Sequence, residues 1–489
     1  MTMLRWFLLL CLVSPLPAQQ VPWARPDIAI SGHDRVYAAD QTSNTVSVID
    51  PSENKLLGVI RLGDPVPGAL SPLYKGQLLV HGLGYSRDAK TLAVVSVGSN
   101  SVTLIDTATN KVKGVVYVSR SPHEAFFTPN GRELWVTVRG ENYVSIIDPG
   151  KMKEVRRIEL ANGPGMTMFG PDGKYAFVCS SFTPELAVIE MASHKVVKRL
   201  PQVSPFSPNI AVTPENDEVW ITLKDVGKVQ IYSAKPPFDQ KAVLDTGPIT
   251  NHVNFANNRN GKFAYITIGG ANEVKAFRRG TTPELVATIP VGELPHGIWP
   301  SGDGSRVYVA LENGERCVAI DTATNKVVAN IPIGQTTQAL VYMPNAVPNG
   351  SGTENLMPLG TAGNTARLHL EPGGSALPEA QASVAVNSLG LLDLVQIAAK
   401  GLAPKTTYQV YLAEANQSPF GKLEPLAVLK TNPDGAGIVQ AIGPLKALAG
   451  NNPNAPASQR FLIVTDMKDS AQVVMRESSA SSSPTEQTQ

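Results

Sequence analysis

The chain has 489 residues, with 42 Lys and Arg against 41 Asp and Glu and a formal charge of +1. That length allows two or three domains. The balanced charge excludes a global attraction for nucleic acid or an anionic membrane surface, so no nucleic-acid partner is expected.

In chain order, the first element is an export signal. Arg5 precedes the apolar run Trp6-Phe-Leu-Leu-Leu-Cys-Leu-Val13, and Leu16-Pro-Ala18 offers a cleavage point. Residues 1–18 read as a secretory signal peptide, too short for a membrane span. The alternative is an uncleaved anchor. Cleavage predicts a periplasmic or secreted protein with no transmembrane segment. Leu10 stands before Cys11 where lipidation wants a small residue, so a lipid anchor is rejected. The remaining Cys179 and Cys317 fall three repeat units apart, beyond the Cα separation of about 7 Å that a disulfide tolerates, and read as two small buried hydrophobes.

From residue 27 to 345 a unit recurs about every 42 residues. Asp50-Pro-Ser-Glu-Asn-Lys55, Asp106-Thr-Ala-Thr-Asn-Lys111, Asp148-Pro-Gly-Lys-Met-Lys153, Glu190-Met-Ala-Ser-His-Lys195 and Asp321-Thr-Ala-Thr-Asn-Lys326 share one position. Each follows a run with a period of two, such as Val102-Thr-Leu-Ile105 or Val144-Ser-Ile-Ile147, and precedes another. Such alternation, rich in Val, Ile and Thr, predicts half-buried strands. Pro129-Asn-Gly131, Pro171-Asp-Gly173 and Asp303-Gly304 supply turns between them. Four strands in little more than 40 residues, without a helical period, make one blade of a β-propeller. The count predicts an all-β chain: a seven-bladed β-propeller whose last strand, Gln338-Ala-Leu-Val-Tyr342, returns to complete the first blade. Closure of that kind removes free sheet edges.

Leu134-Trp-Val-Thr-Val138, Ala264-Tyr-Ile-Thr-Ile268 and Val307-Tyr-Val-Ala310, with their Val-Ile-Asp and Pro-Asp-Gly partners, resemble the YVTN-type β-propeller repeat. The resemblance spans residues 27–345. It implies a propeller of the kind found in secreted and surface proteins of bacteria and archaea, and it implies no particular activity, because the matching residues are scaffold.

Residues 346–365 are rich in Pro, Gly and Asn without a period and read as a linker. Eight strand-like runs then follow, beginning with Arg367-Leu-His-Leu370 and ending with Gln472-Val-Val-Met475, and predict a small C-terminal β-sandwich domain over 366–476. Residues 477–489 have the composition of a disordered tail.

Four of the seven histidines start the innermost strands. His81, His123 and His296 each sit eight residues before the closing position of a turn, and His252 nine before. All four are expected to line one rim of the central channel. Four imidazoles around an axial pit could hold copper or zinc, with nitrogens about 2.0–2.1 Å from the metal. In kind, this is similar to the histidine-lined copper site of nitrous oxide reductases. The competing reading is a structural histidine copied by blade duplication.

Glu124, Asn251, Asn254 and Gln338 on the inner strands, with Arg139, Glu141, Lys224 and Glu312 on strand-2-to-3 loops of the same face, are candidate contacts for a small polar or anionic ligand. An insertion in the connection leading to His81, over Pro65–Lys75, could cover the pit. No phosphate-binding loop, haem attachment motif or nucleophile elbow occurs. The sequence therefore leads to an exported binding or scaffold protein that engages a small ligand or an exported protein partner at the pit. The alternative is a copper- or zinc-dependent enzyme, with redox chemistry expected. A calcium-dependent lactonase would need a rim dominated by Asp, Glu and Asn, where histidine prevails here.

Overall fold

Polar turns and strands with a period of two dictate the architecture, a computed structural model that describes residues 28–63, 78–359, 365–388, 393–443, 460–469 and 472–478. The predicted signal peptide, the Pro65–Lys75 insertion and the tail beyond 478 lie outside the described residues. Blades 2 to 7 are four-stranded antiparallel sheets. Blade 2 begins with Val80–Tyr85, blade 3 with Pro122–Phe127, blade 4 with Pro164–Phe169, blade 5 with Ile210–Val212, blade 6 with Thr250–Asn258 and blade 7 with Pro295–Pro300. In blade 1 the innermost strand is Thr337–Met343, paired antiparallel to Arg35–Asp40. The ring thus closes as expected, by the end of the repeat completing the blade that its beginning opened.

The turns follow from their residues. In the strand-3-to-4 hairpins, Asp106 and Asp321 accept hydrogen bonds from the backbone and hydroxyl of Thr109 and Thr324. Asn54, Asn110 and Asn325 take the left-handed position, with φ of 53°, 56° and 53°, which Asn tolerates better than most residues. In the strand-1-to-2 hairpin of blade 3, Gly131 takes φ 72°.

The core lies between blades. Trp135, Trp220 and Tyr308, on second strands, are fully buried and pack against Phe169, Phe255 and Tyr342 on the next blade's first strand, with ring centroids 5.3, 5.6 and 6.0 Å apart. Tyr265 and Tyr308 reach further, donating to Asn325 and Asn54 in the next blade's turn. Buried aromatics dominate core energetics, and these three serve the interfaces of blades 3 and 4, 5 and 6, and 7 and 1.

The stretch after the ring is strapped to it. Val347 bonds the His33 carbonyl, Asn110 donates to the carbonyls of Gly352 and Glu354, and Met357 pairs with Val59. All eight C-terminal strands then form at the places their alternation predicts. They make one continuous antiparallel sheet in the order Leu423–Lys430, Thr407–Ala413, Phe461–Asp466, Val473–Glu477, Thr365–Pro372, Gln381–Ser388, Asp393–Lys400, Gly437–Gly443. Its two edge strands approach each other, so the sheet wraps into a nearly closed, sandwich-like barrel around Val384, Val395, Val410 and Val464.

Candidate functional site

The C-terminal domain docks on the propeller face that carries the histidines. Ala398, Ala436 and Ile438 cover Ile249 and Leu294. Around that apolar patch, Arg367 pairs with Glu315 at 2.7 Å and also donates to the carbonyls of Asn313 and Gly314. Asn387 bonds Thr336, and His369 lies 3.1 Å from Glu293. Docking turns the open rim into a roofed pit of about 490 Å³. Its floor and walls come from blades 1, 2, 3, 4, 5 and 7, and its roof from Gln396, Ile438 and Gln440.

The strand register shows which rim positions correspond. Paired against the second strand, His81, His123 and His296 occupy one slot, which Gly165, Pro208, Asn251 and Gln338 fill in the other blades. His252 is one position further, in the slot of Glu124 and Asn209. Counting back from the hairpin placed it with the other three, and the count failed because blade 6 turns with a tight two-residue loop between Asn258 and Gly261. The four rings meet as two pairs. His81 and His123 have centroids 4.4 Å apart, and His252 and His296 4.8 Å. Nδ1 of His123 donates to the Gly165 carbonyl at 2.8 Å, and Nδ1 of His296 to Glu312 at 2.7 Å. Among the described residues, no group of three His, Cys, Asp or Glu side chains is placed to hold a metal ion.

Burial sets the charge of these groups. It lowers all four imidazoles, His81 to about 3, with neighbouring His296 and Arg139 acting in the same direction on His81. His81, His123 and His252 are therefore neutral at pH 7, while the ion pair with Glu312 opposes the effect of burial on His296. Glu124, 3.8 Å from Nδ1 of His81, is raised by burial to about 8 and keeps its proton. Glu312 behaves oppositely. Burial alone would raise it, but His296, Lys224 and Gln338 hold it down at about 2, so it is ionised. Its Oε1 also accepts from Gln396 of the roof at 2.6 Å, and Gln440 donates to Gln396 in turn.

Two cations face this cavity. Arg139, half-buried, has its guanidinium carbon 5.4 Å from the ring centroids of both Phe182 and Phe206, and its buried Nε has no hydrogen-bond partner. Lys224 has no side-chain hydrogen bond or ion pair among the described residues. Burial lowers its pKa, Glu312 opposes that, and Arg139 adds to it. Glu141, the remaining rim carboxylate expected here, is engaged by Arg120 instead.

The predicted contacts thus divide. His81, His123, Arg139, Lys224, Glu312 and Gln338 line the pit together. Glu124, His252 and Asn254 lie in the narrow channel below it. Asn251 is fully buried and donates to the Pro295 carbonyl, a tie between blades, and Asn254 donates likewise to Ile298. Phe182 and Phe206 were missed, although an aromatic in a polar rim loop was a usable signal. The three roof residues carried no signal, because only docking brings them there.

No protein family model matches the chain, and no curated protein matches it. Among solved structures, the chain is similar to the periplasmic gluconolactonase of Pseudomonas aeruginosa, at 16% identity and TM-score 0.50, covering 63% of this chain and 99% of that one. It is similar to Kuenenia stuttgartiensis hydrazine synthase at 18% identity and TM-score 0.50, covering 57% and 94%. A functionally unknown protein from Desulfotomaculum acetoxidans aligns at 13% identity and TM-score 0.53, covering 63% and 98%. At these identities the likeness shows the seven-bladed propeller fold and carries no activity with it.

Proposed function

We propose that this chain is an exported propeller of the YVTN type that binds a small molecule in the pit beneath its C-terminal domain. The repeat residues around Trp135, Tyr265 and Tyr308 support the family, and the apolar run after Arg5 supports export. The cavity carries the functional reading. A volume of about 490 Å³ walled by six blades and roofed by a second domain falls within the range of small-molecule sites. A protein partner would have to displace the roof and its Gln396–Glu312 bond.

The test is a thermal-shift screen of the full chain against a library of small metabolites, repeated on Gln440→Trp, which fills the pit from the roof side. Hits that raise the melting temperature of the parent and not of the variant are expected. Hits indifferent to Gln440→Trp would place binding elsewhere.

A copper or zinc site on His81, His123, His252 and His296 is the second reading. One observation favours it: His123 and His296 each spend Nδ1 on a fixed acceptor, as metal-bound histidines commonly do. A third ring would have to move in. Elemental analysis of the exported protein beside a His81→Ala/His123→Ala variant tests this reading, which expects about one metal per chain, lost in the variant.

A further inference from the structure

We infer that the pit recognises a small organic carboxylate with a flat apolar body, held by Arg139 and Lys224 at its anionic end and by Phe182 and Phe206 along its face. The inference rests on the proposed small-molecule reading and adds the chemistry of the ligand.

Charge is the first argument. Among the described residues, the pit holds two cations against one carboxylate, and that carboxylate is already spent. Glu312 accepts from His296, Gln338 and Gln396, all buried. Neither Arg139 nor Lys224 reaches it within ion-pair distance, and its ion pair is with His296. Neither cation has a side-chain hydrogen bond or ion pair among the described residues, and a half-buried charge without one is costly. An oxyanion satisfies both. Arg139 presents a planar fork, which fits a carboxylate with two parallel hydrogen bonds.

Preorganisation is the second argument. Phe182 is 53% exposed at the pit wall, so its ring is open to a ligand in the pit. The ring packs directly on Gly163, where any Cβ would fall 2.3 Å from its Cδ2 and where φ is 80°. Phe182 and Phe206 also brace the guanidinium, so the donor is aimed before a ligand arrives. Gln338, Gln396 and Gln440 line the remaining wall with amides.

The experiment is calorimetric titration of the full chain with benzoate, phenyl phosphate, inorganic phosphate and neutral methyl benzoate. Benzoate is expected to bind saturably and methyl benzoate at least about tenfold more weakly. Phenyl phosphate separates a carboxylate site from a general oxyanion site, and inorganic phosphate reports the anionic end without the body. Arg139→Gln and, independently, Lys224→Gln should each weaken benzoate by about tenfold or more without lowering the unliganded melting temperature. Phe182→Ala should weaken benzoate and leave inorganic phosphate unchanged. Equal binding of benzoate and its methyl ester, unchanged affinity in both charge variants, or no binding of any anion would overturn the inference. If Gln440→Trp abolishes binding while Arg139→Gln and Lys224→Gln do not, the pit stands and the anion subsite falls. If Gln440→Trp leaves benzoate bound as before, the pit reading itself fails.

Discussion

At one position of the second strand, a small polar side chain donates across the blade interface to an inner-strand backbone carbonyl. Thr137 reaches Gly165, Thr222 reaches Asn251 and Thr267 reaches His296, at 2.7, 2.6 and 2.7 Å. Blade 4 uses Cys179, whose thiol lies 3.6 Å from the Ser207 carbonyl and is pushed up to about 11 by burial. The cysteine is therefore a weak copy of the repeat's threonine. Thr222→Val should cost about 1–3 kcal/mol, since it strips a buried carbonyl of its donor, and Cys179→Val, which removes only the weak thiol contact, should cost less than half of that. Urea unfolding of the two variants checks this, and equal losses would contradict it. The threonine of Leu-Trp-Val-Thr-Val was legible as a strand residue. Its partner was not, because a carbonyl one blade away leaves no trace in the local pattern. The same limit moved His252 out of the histidine slot: turns were legible, but their length in blade 6 was not.

Ring closure is the element on which the other blades depend, and it has its own latch. Asp40 ends the strand paired with Thr337–Met343 and accepts from Thr45, Ser47 and Thr337. Burial, opposed by those hydrogen bonds, raises its carboxyl to about 7. The folded ring thus keeps a proton that the unfolded chain releases near pH 4. The hydroxyl of Thr337, also 3.3 Å from the Gly334 carbonyl, can turn to accept it. A raised carboxyl contributes stability fully below about pH 4 and loses it as pH rises through about 7. Between those limits the parent should lose on the order of a few kcal/mol relative to Asp40→Asn. Urea midpoints measured across that range for both proteins test it, and parallel curves would contradict it. The closing strand itself was legible from the unmatched eighth first strand, Gln338-Ala-Leu-Val-Tyr342. The latch was not, since Asp40 looks like any acidic residue at a strand end.

The whole molecule is more than its two β domains, because docking makes the site. Glu312 reads in the sequence as a solvated loop charge, yet on the propeller alone it already pairs with His296 and Gln338. Gln396, 84 residues away, caps it from the docked domain, and it ends up buried. Arg367 and Asn387 similarly find Glu315 and Thr336. Interfaces of this polar kind follow neither a period of two nor a turn signature, which is why the eight C-terminal strands could be read and their placement could not. The consequence is a pit that needs both domains: the propeller supplies Arg139, Lys224 and the aromatic wall, and the second domain supplies the roof. The most direct measurement is native mass spectrometry of the full chain equilibrated with a small-metabolite extract, beside Gln440→Trp and Arg139→Gln. The account predicts a small-molecule adduct on the parent, released as an organic anion and missing from both variants. The bare chain mass alone, or the same adduct on all three proteins, would contradict it.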